Sequence, residues 1–236
     1  RQRYAGIFHQ MIFWGFIVLF MATTVVLLDY DFNLPIMRGN FYLFFQSLFV
    51  DILGLFFLVG IALAALRRWV LRPKQLVYDW ESSLILVGLF AIGAPGFFVE
   101  GWRIAATQDP WGAWSPIGYF IARLSDPVLS EESILALHRA GWWFHLLLAF
   151  ALIAWAPYTK MAHALFSPFN IYTANLGPIG GSLKPIDFET SETFGVSTLA
   201  QFTWKDLADL DACTECGRCT AACPANNSGK ILSPRD

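Results

Sequence analysis

The sequence predicts an all-α membrane protein: four spanning helices, then a small polar segment that holds every cysteine. Three observations predict it. The 236 residues are 56% hydrophobic and only 14% charged, where a soluble domain carries about a quarter charged. Four apolar stretches, roughly 4–28, 41–66, 82–107 and 133–165, each reach the roughly 20 residues that cross about 30 Å of hydrocarbon. All four cysteines fall between Cys213 and Cys223. The net charge of −2 gives no basis for nucleic-acid binding. The start, RQRYAGIFHQ, has neither an initiator Met nor a signal-peptide cleavage pattern, so the chain is expected to begin inside a longer one.

Basic residues orient the spans. Arg1 and Arg3 precede the first, Arg67, Arg68, Arg72 and Lys74 follow the second, and Lys160 lies at the end of the fourth. The positive-inside bias puts these ends in the cytoplasm, so four crossings leave both chain ends there. The loops DYDFNLPIMRGN and QDPWGAWSPIGYFIARLSDPVLSEES hold more acid than base and are expected outside. Within the second, residues 113–124 fit a short interfacial helix, with Trp111, Trp114 and Tyr119 at headgroup depth. The expected domains are therefore a transmembrane domain over 1–166, a connector over 167–196, and the start of an iron–sulfur domain over 197–236. The connector holds Pro168, Pro178 and Pro185 and no apolar run, which predicts irregular backbone. STLAQFTWKDLADLDA then predicts a short helix with Ser197 or Thr198 as N-cap.

The cysteine spacing is C-x2-C-x2-C-x3-C-P: Cys213, Cys216, Cys219, Cys223 and Pro224. This is the run that holds a [4Fe–4S] cluster in bacterial ferredoxins. Two-residue gaps wrap a tight loop of three thiolates around one cube. The longer step starts a helical turn that carries the fourth away, and Pro224 is expected to stop regular structure there. A reducing cytoplasmic face disfavours disulfides, zinc knuckles place a longer gap between two C-x2-C pairs, and no C-x-x-C-H exists for c-type haem. In two-cluster ferredoxins the fourth cysteine of the run serves the other cluster. Either Cys223 closes a single cube, or it serves a second one whose thiols lie beyond Asp236; one or two clusters are expected.

The four histidines, His9, His138, His145 and His163, all fall on predicted spans. An ionisable side chain in a span is costly and points to function, and neutral imidazole is a good iron ligand. On one continuous fourth helix, the 18 residues from His145 to His163 make five whole turns, so both point the same way. His138 falls about 20° off that face. Pro157 is expected to bend the helix. His9 and His163 share a depth near the cytoplasmic surface and are expected to ligate one b-type haem. His145 is expected on an outer haem, with His138 either ligating there or hydrogen-bonding at the surface. Met21 is the only residue near the expected partner position, Leu19, with a ligating atom.

Asp51, Glu100 and Arg103 are further polar residues within spans. Glu100 and Arg103, spaced i, i+3, are expected to pair. The sharper alternative is a proton route or quinone contact near the outer haem, with Pro95 in IGAPGFF weakening the third helix enough to admit a ligand.

The stretches IFHQMIFWGF, HRAGWWFHLLL and YTKMAHALFSPFN resemble the last four helices of the respiratory nitrate reductase gamma subunit, a five-helix dihaem cytochrome b. That family has a second His on its first ligand helix, where this sequence has Leu19. The tail from Lys184 to Ala225 is similar to membrane-bound Fe–S oxidoreductases that fuse such a domain to a heterodisulfide-reductase-like iron–sulfur domain. The resemblance covers essentially the whole chain. It implies a cytochrome b bundle with one or two b-type haems and menaquinone or another quinone. It also implies a cytoplasmic partner, such as an electron-transfer flavoprotein or iron–sulfur subunits, and further cysteine-rich modules.

The expected function is membrane electron transfer between that partner and the quinone pool, through the [4Fe–4S] cluster and the haems, in the cytoplasmic membrane. One alternative is a haem-bearing anchor subunit of a larger respiratory complex, of the sulfite-reduction or heterodisulfide type, without its own catalytic site. Another is a transporter that uses Asp51, Glu100 and Arg103, with the cluster as redox sensor. No nucleophile or acid–base set points to hydrolysis.

Overall fold

The computed structural model describes residues 3–174, 186–190 and 194–234. Arg1 and much of the expected connector, residues 175–185 and 191–193, lie outside the described residues. The described chain is helical throughout its ordered elements, with no strand among the described residues. Four helices are long and apolar enough to cross a membrane: α1 (Arg3–Tyr30), α2 (Gly39–Leu71), α3 (Trp80–Thr107) and the stretch Glu131–Tyr158. The protein is a multi-pass membrane protein with a small polar C-terminal segment.

Contacts divide the chain into two units, 1–74 with 78–154, and 75–77 with 155–236. In the first unit, small residues set the close approaches between spans, as they do where lipid supplies no hydrophobic drive for helix pairing. A Cβ on Gly15 of α1 would lie 2.6 Å from the Phe57 Cβ and 2.9 Å from the Leu53 carbonyl oxygen of α2. A Cβ on Gly60 of α2 would come within 3.0 Å of the Phe8 carbonyl oxygen. Phe57 and Ile61 are among the most deeply buried side chains as a result.

The second span is not a uniform α-helix. Tyr42–Phe49 and Leu66–Leu71 are π-helical, and the chain leaves the second stretch through Arg72 at φ 43°. Arg68, near this end, is buried and donates to the Asp79 carbonyl at 2.9 Å and to its carboxylate at 3.3 Å. Asp79 caps α3 by accepting the Ser82 N–H at 2.6 Å. One carboxylate thus starts the third span and tethers the end of the second.

A helix, α4 (Pro116–Ser125), lies where an interfacial one was expected over 113–124, and it opens on a proline at its first position. The expected fourth helix over 133–165 needs correction. α5 runs only from Glu131 to Trp155. Two separate turns follow, Ala156–Tyr158 and Lys160–Ala162, before α6 (His163–Tyr172) begins. Pro157 removes a backbone donor, and Thr159 adopts extended backbone at φ −138°, so the helix ends rather than bends. His145 and His163 therefore sit on different helices, and the five-turn phase relation between them does not apply.

In the second unit, α7 (Trp204–Asp211) is shorter than the helix expected from residue 197. Thr198 begins only a single turn, Leu199–Gln201, and Thr203 is the N-cap of α7, accepting the Asp206 N–H at 3.2 Å. Two short helices follow, α8 (Arg218–Ala222) and α9 (Pro224–Asn227). The turn after Cys219 was expected. Pro224, expected to stop regular structure, instead occupies the first position of α9, where its missing N–H costs nothing.

Candidate redox site

Polar groups in the spans gather first at one end of the first unit. Asp51, 1% exposed, accepts the Ile117 N–H at 2.7 Å and the Gly118 N–H at 3.3 Å. It caps α4 from a different helix and puts a carboxylate at the positive end of the α4 dipole. The Glu100 carboxyl of α3 lies against Gly118, where a Cβ would come 3.2 Å from Oε2, beside the Asp51 carboxylate that accepts the Gly118 N–H. Ser115 is likewise 1% exposed.

Arg103 does not take Glu100 as its ion-pair partner, contrary to the i, i+3 expectation. Its guanidinium donates to Asp109 at 3.0 Å. Tyr42 Oη donates to the same carboxylate oxygen at 2.9 Å, and the Trp111 N–H donates to the other at 2.9 Å. Burial works against the charge on Asp109. The Trp111 N–H, Arg103 and Tyr42 outweigh it and hold the carboxyl below the usual carboxylate range. This cluster joins the start of α2 to the end of α3. The sequence reading missed Tyr42 and Asp109 because their partners lie across loops. Asp51 and Arg103 carry structural bonds here, which removes two of the three groups a transporter would use.

His138 and His145 of α5 both meet α3 at backbone carbonyls. His138 Nδ1–H donates to the Val99 carbonyl at 3.1 Å. His145 lies against the Ile92 carbonyl, and its Nδ1 is buried without a hydrogen-bond partner. Gly96 makes room for that ring; a Cβ there would lie 3.3 Å from the His145 Cε1. Pro95 sits inside the unbroken α3 and gives no N–H to the turn before it. The side chain admitted beside this irregular turn is His145. Gln46, in the π-helical part of α2, also has a buried Oε1 without a partner. A lone Gln within the apolar run YLFFQSLF was the available signal for it. Met21, considered as a ligand, is half exposed on the outside of α1, as is much of His9.

These features fit an axial-ligand role. A ligating His commonly gives its other ring N–H to a backbone carbonyl, which fixes the tautomer and ring plane. His138 has that bond, and in the second unit so does His163, whose Nδ1–H donates to the Lys160 carbonyl. A buried imidazole nitrogen without a partner, as in His145, is costly unless something binds it.

The cysteine loop is shaped by two left-handed residues, Glu215 at φ 50° and Gly217 at φ 73°. They curl the backbone so that the Glu215 N–H points at Cys213 Sγ, 3.4 Å away. Such N–H···S contacts are among the protein's means of tuning an iron–sulfur centre. Cys213, Cys216 and Cys219 are exposed and Cys223 is half-buried. Among the described residues no three His, Cys, Asp or Glu side chains are gathered as a metal-binding group. The donor set is four thiols in one 11-residue loop and turn, which suits a soft Fe–S cluster.

The 4Fe-4S binding domain family matches residues 204–225, the span of α7 and all four cysteines. The chain is 39% identical over its whole length to the EtfAB:quinone oxidoreductase of Syntrophomonas wolfei, of which it covers 34%. It is 30% identical, again over its whole length, to the "Probable iron-sulfur-binding oxidoreductase FadF" of Bacillus subtilis, of which it covers 34%. It is 32% identical over 71% of its length to the "Probable membrane-anchored ferredoxin" of Chromohalobacter salexigens, of which it covers 22%. The chain thus spans about a third or less of the curated relatives it matches. No solved structure matches it. The likeness to these two oxidoreductases covers the spans as well as the cysteine segment.

Proposed function

We propose that this chain is the membrane-spanning, electron-carrying part of a quinone-linked iron–sulfur oxidoreductase. One observation carries the proposal: a 4Fe–4S binding segment is covalently continuous with four apolar spans, and both are similar to an EtfAB:quinone oxidoreductase. Cys213, Cys216, Cys219 and Cys223 would hold a [4Fe–4S] cluster, with Cys223 either closing it or serving a second one. The soluble partner would be an electron-transfer flavoprotein, and the cysteine segment would face the cytoplasm from the cytoplasmic membrane.

The nitrate-reductase-gamma-like bundle belongs to the proposal as well. His9, His138, His145 and His163 are its candidate haem ligands. The bonds from His138 and His163 to carbonyls, and the partnerless buried Nδ1 of His145, support this. A b-type haem, when bound, relays single electrons through the spans. Glu100, whose carboxyl lies against Gly118 within the first unit, is the candidate group to exchange a proton with a quinone headgroup. Arg103 would support that end through its bond to Asp109, which ties the span ends together.

A second reading, an electron-carrying anchor without its own catalytic site, is favoured by the similarity to the membrane-anchored ferredoxin. The full-length protein separates the two. Quinol formation from a reduced flavoprotein donor by the purified protein alone supports the oxidoreductase, and activity only after addition of another subunit supports the anchor. Absence of both an iron–sulfur EPR signal and a pyridine haemochrome would sink both.

A further inference from the structure

The cysteine segment is not an independent appendage within its unit. Three sets of contacts seat it, two on the chain that follows the fourth span and one on Gln75, after the second. Phe169 of α6 packs on Trp204 of α7 with ring centroids 6.2 Å apart, and Lys205 donates to the Asn170 side chain. Gly217 is buried beneath the Gln75 carbonyl, with no room there for a Cβ. Lys160 Nζ pairs with Glu215 Oε2 at 2.5 Å, and the Lys160 side chain is only 18% exposed.

Lys160 therefore has two attachments. Its ammonium holds a carboxylate that lies between Cys213 and Cys216, and its carbonyl accepts the Nδ1–H of His163. The side-chain bond engages the cysteine loop and the main-chain bond engages the first residue of α6. Both meet at a turn that Thr159 fixes by accepting the Met161 N–H at 3.3 Å.

We infer that Lys160 is a positioning residue, a clamp that fixes the cysteine loop to the His163 turn and balances the Glu215 charge beside the cluster. The clamp transfers neither atoms nor electrons. It holds the loop and balances a negative charge on the residue next to Cys216, where net charge around a cluster tunes the reduction potential. The inference rests on the proposed electron-transfer function only for its consequence on potential; the docking itself does not require a bound group.

The test uses the full-length protein. A zero-length carbodiimide should join Lys160 to Glu215, as mass spectrometry of the digest would show, and Lys160→Ala or Glu215→Ala should abolish that cross-link. In an EPR redox titration, Lys160→Ala leaves an uncompensated carboxylate and should lower the cluster midpoint. Glu215→Ala removes a negative charge from the cysteine loop and should raise it. Lys160→Arg should stay near the unaltered value. A loop that merely loosens would move both alanine variants the same way, so shifts of one sign, or no shifts, overturn the clamp. No cross-link in the unaltered protein also overturns it. If the unaltered protein shows the cross-link but no [4Fe–4S] signal, the docking stands and the proposed function falls.

Discussion

The two units hold polar chemistry by different means. In the first, Phe57, Ile61, Ile104 and Ala122 are buried, and several of the polar groups find partners outside their own helix. Asp51 caps α4 from α2, and Tyr42 and Arg103 converge on Asp109. In the second, Ala208 and Gly217 are the only buried residues among those described, and most bonds are local (N-caps, left-handed turns and the Lys205–Asp209 pair), with Lys160–Glu215 a long-range exception. The spans can afford few polar groups and fix each by packing. The cysteine segment has almost no core, so a bound cluster would be its main staple.

The sharpest way to break the contrast is to remove the metal. Chelating the iron, or Cys216→Ser, should abolish the iron–sulfur EPR signal. It should also open residues 204–234 to protease while leaving the spans' helical circular dichroism unchanged. Equal loss in both regions would show that the segment and spans are one cooperative unit. Next in size is Asp51→Ala. It leaves the Ile117 and Gly118 N–H groups without acceptors in a buried site and should cost about 3 kcal/mol. Thermal unfolding in detergent reads this, and an unchanged midpoint would show that α4 is not held by that cap. Gly15→Leu should cost about 2 kcal/mol by forcing α1 off Phe57 and Leu53.

A smaller effect is expected from Arg103→Gln, about 1 kcal/mol, because this guanidinium is partly exposed. The pH profile sharpens it. The folded-state Asp109 is held below the usual carboxylate range, so its stabilisation is present above the ordinary carboxylate pKa. It is lost as pH falls through the lower folded value. The variant should narrow the stability gap between neutral and acid pH, and an unaltered acid limb would count against the assignment. The smallest expected change is Thr203→Ala, about 0.5 kcal/mol from an exposed cap. Protection of the first α7 amides against hydrogen exchange measures it.

Where a signal is local and periodic, the sequence carried it. Apolar length located all four spans, aromatic placement pointed to a helix in the second long loop, and two-residue gaps marked the cysteine loop. What failed depended on partners distant in sequence or on how a helix ends. Glu100 and Arg103 lie within reach on a helix face, but Asp109 and Tyr42 compete for the guanidinium from outside it. The fourth helix was read as bent at Pro157, since proline alone does not distinguish a bend from a stop; Thr159 decides it by adopting extended backbone. Lys160 served only to orient the fourth span, and nothing in the local sequence of Lys160 or Glu215 shows that they meet.

The two histidines of α5 set a register. His138 and His145 are seven residues apart, and so are Val99 and Ile92, the carbonyls they meet on the antiparallel α3. Seven residues span about 10.5 Å on either helix, so the two contacts form a matched pair of index marks. Sliding α5 along α3 by a single residue would misalign both at once, with no neighbouring setting in which one is kept. Slippage of one of these helices along the other is therefore a discrete event rather than a gradual one.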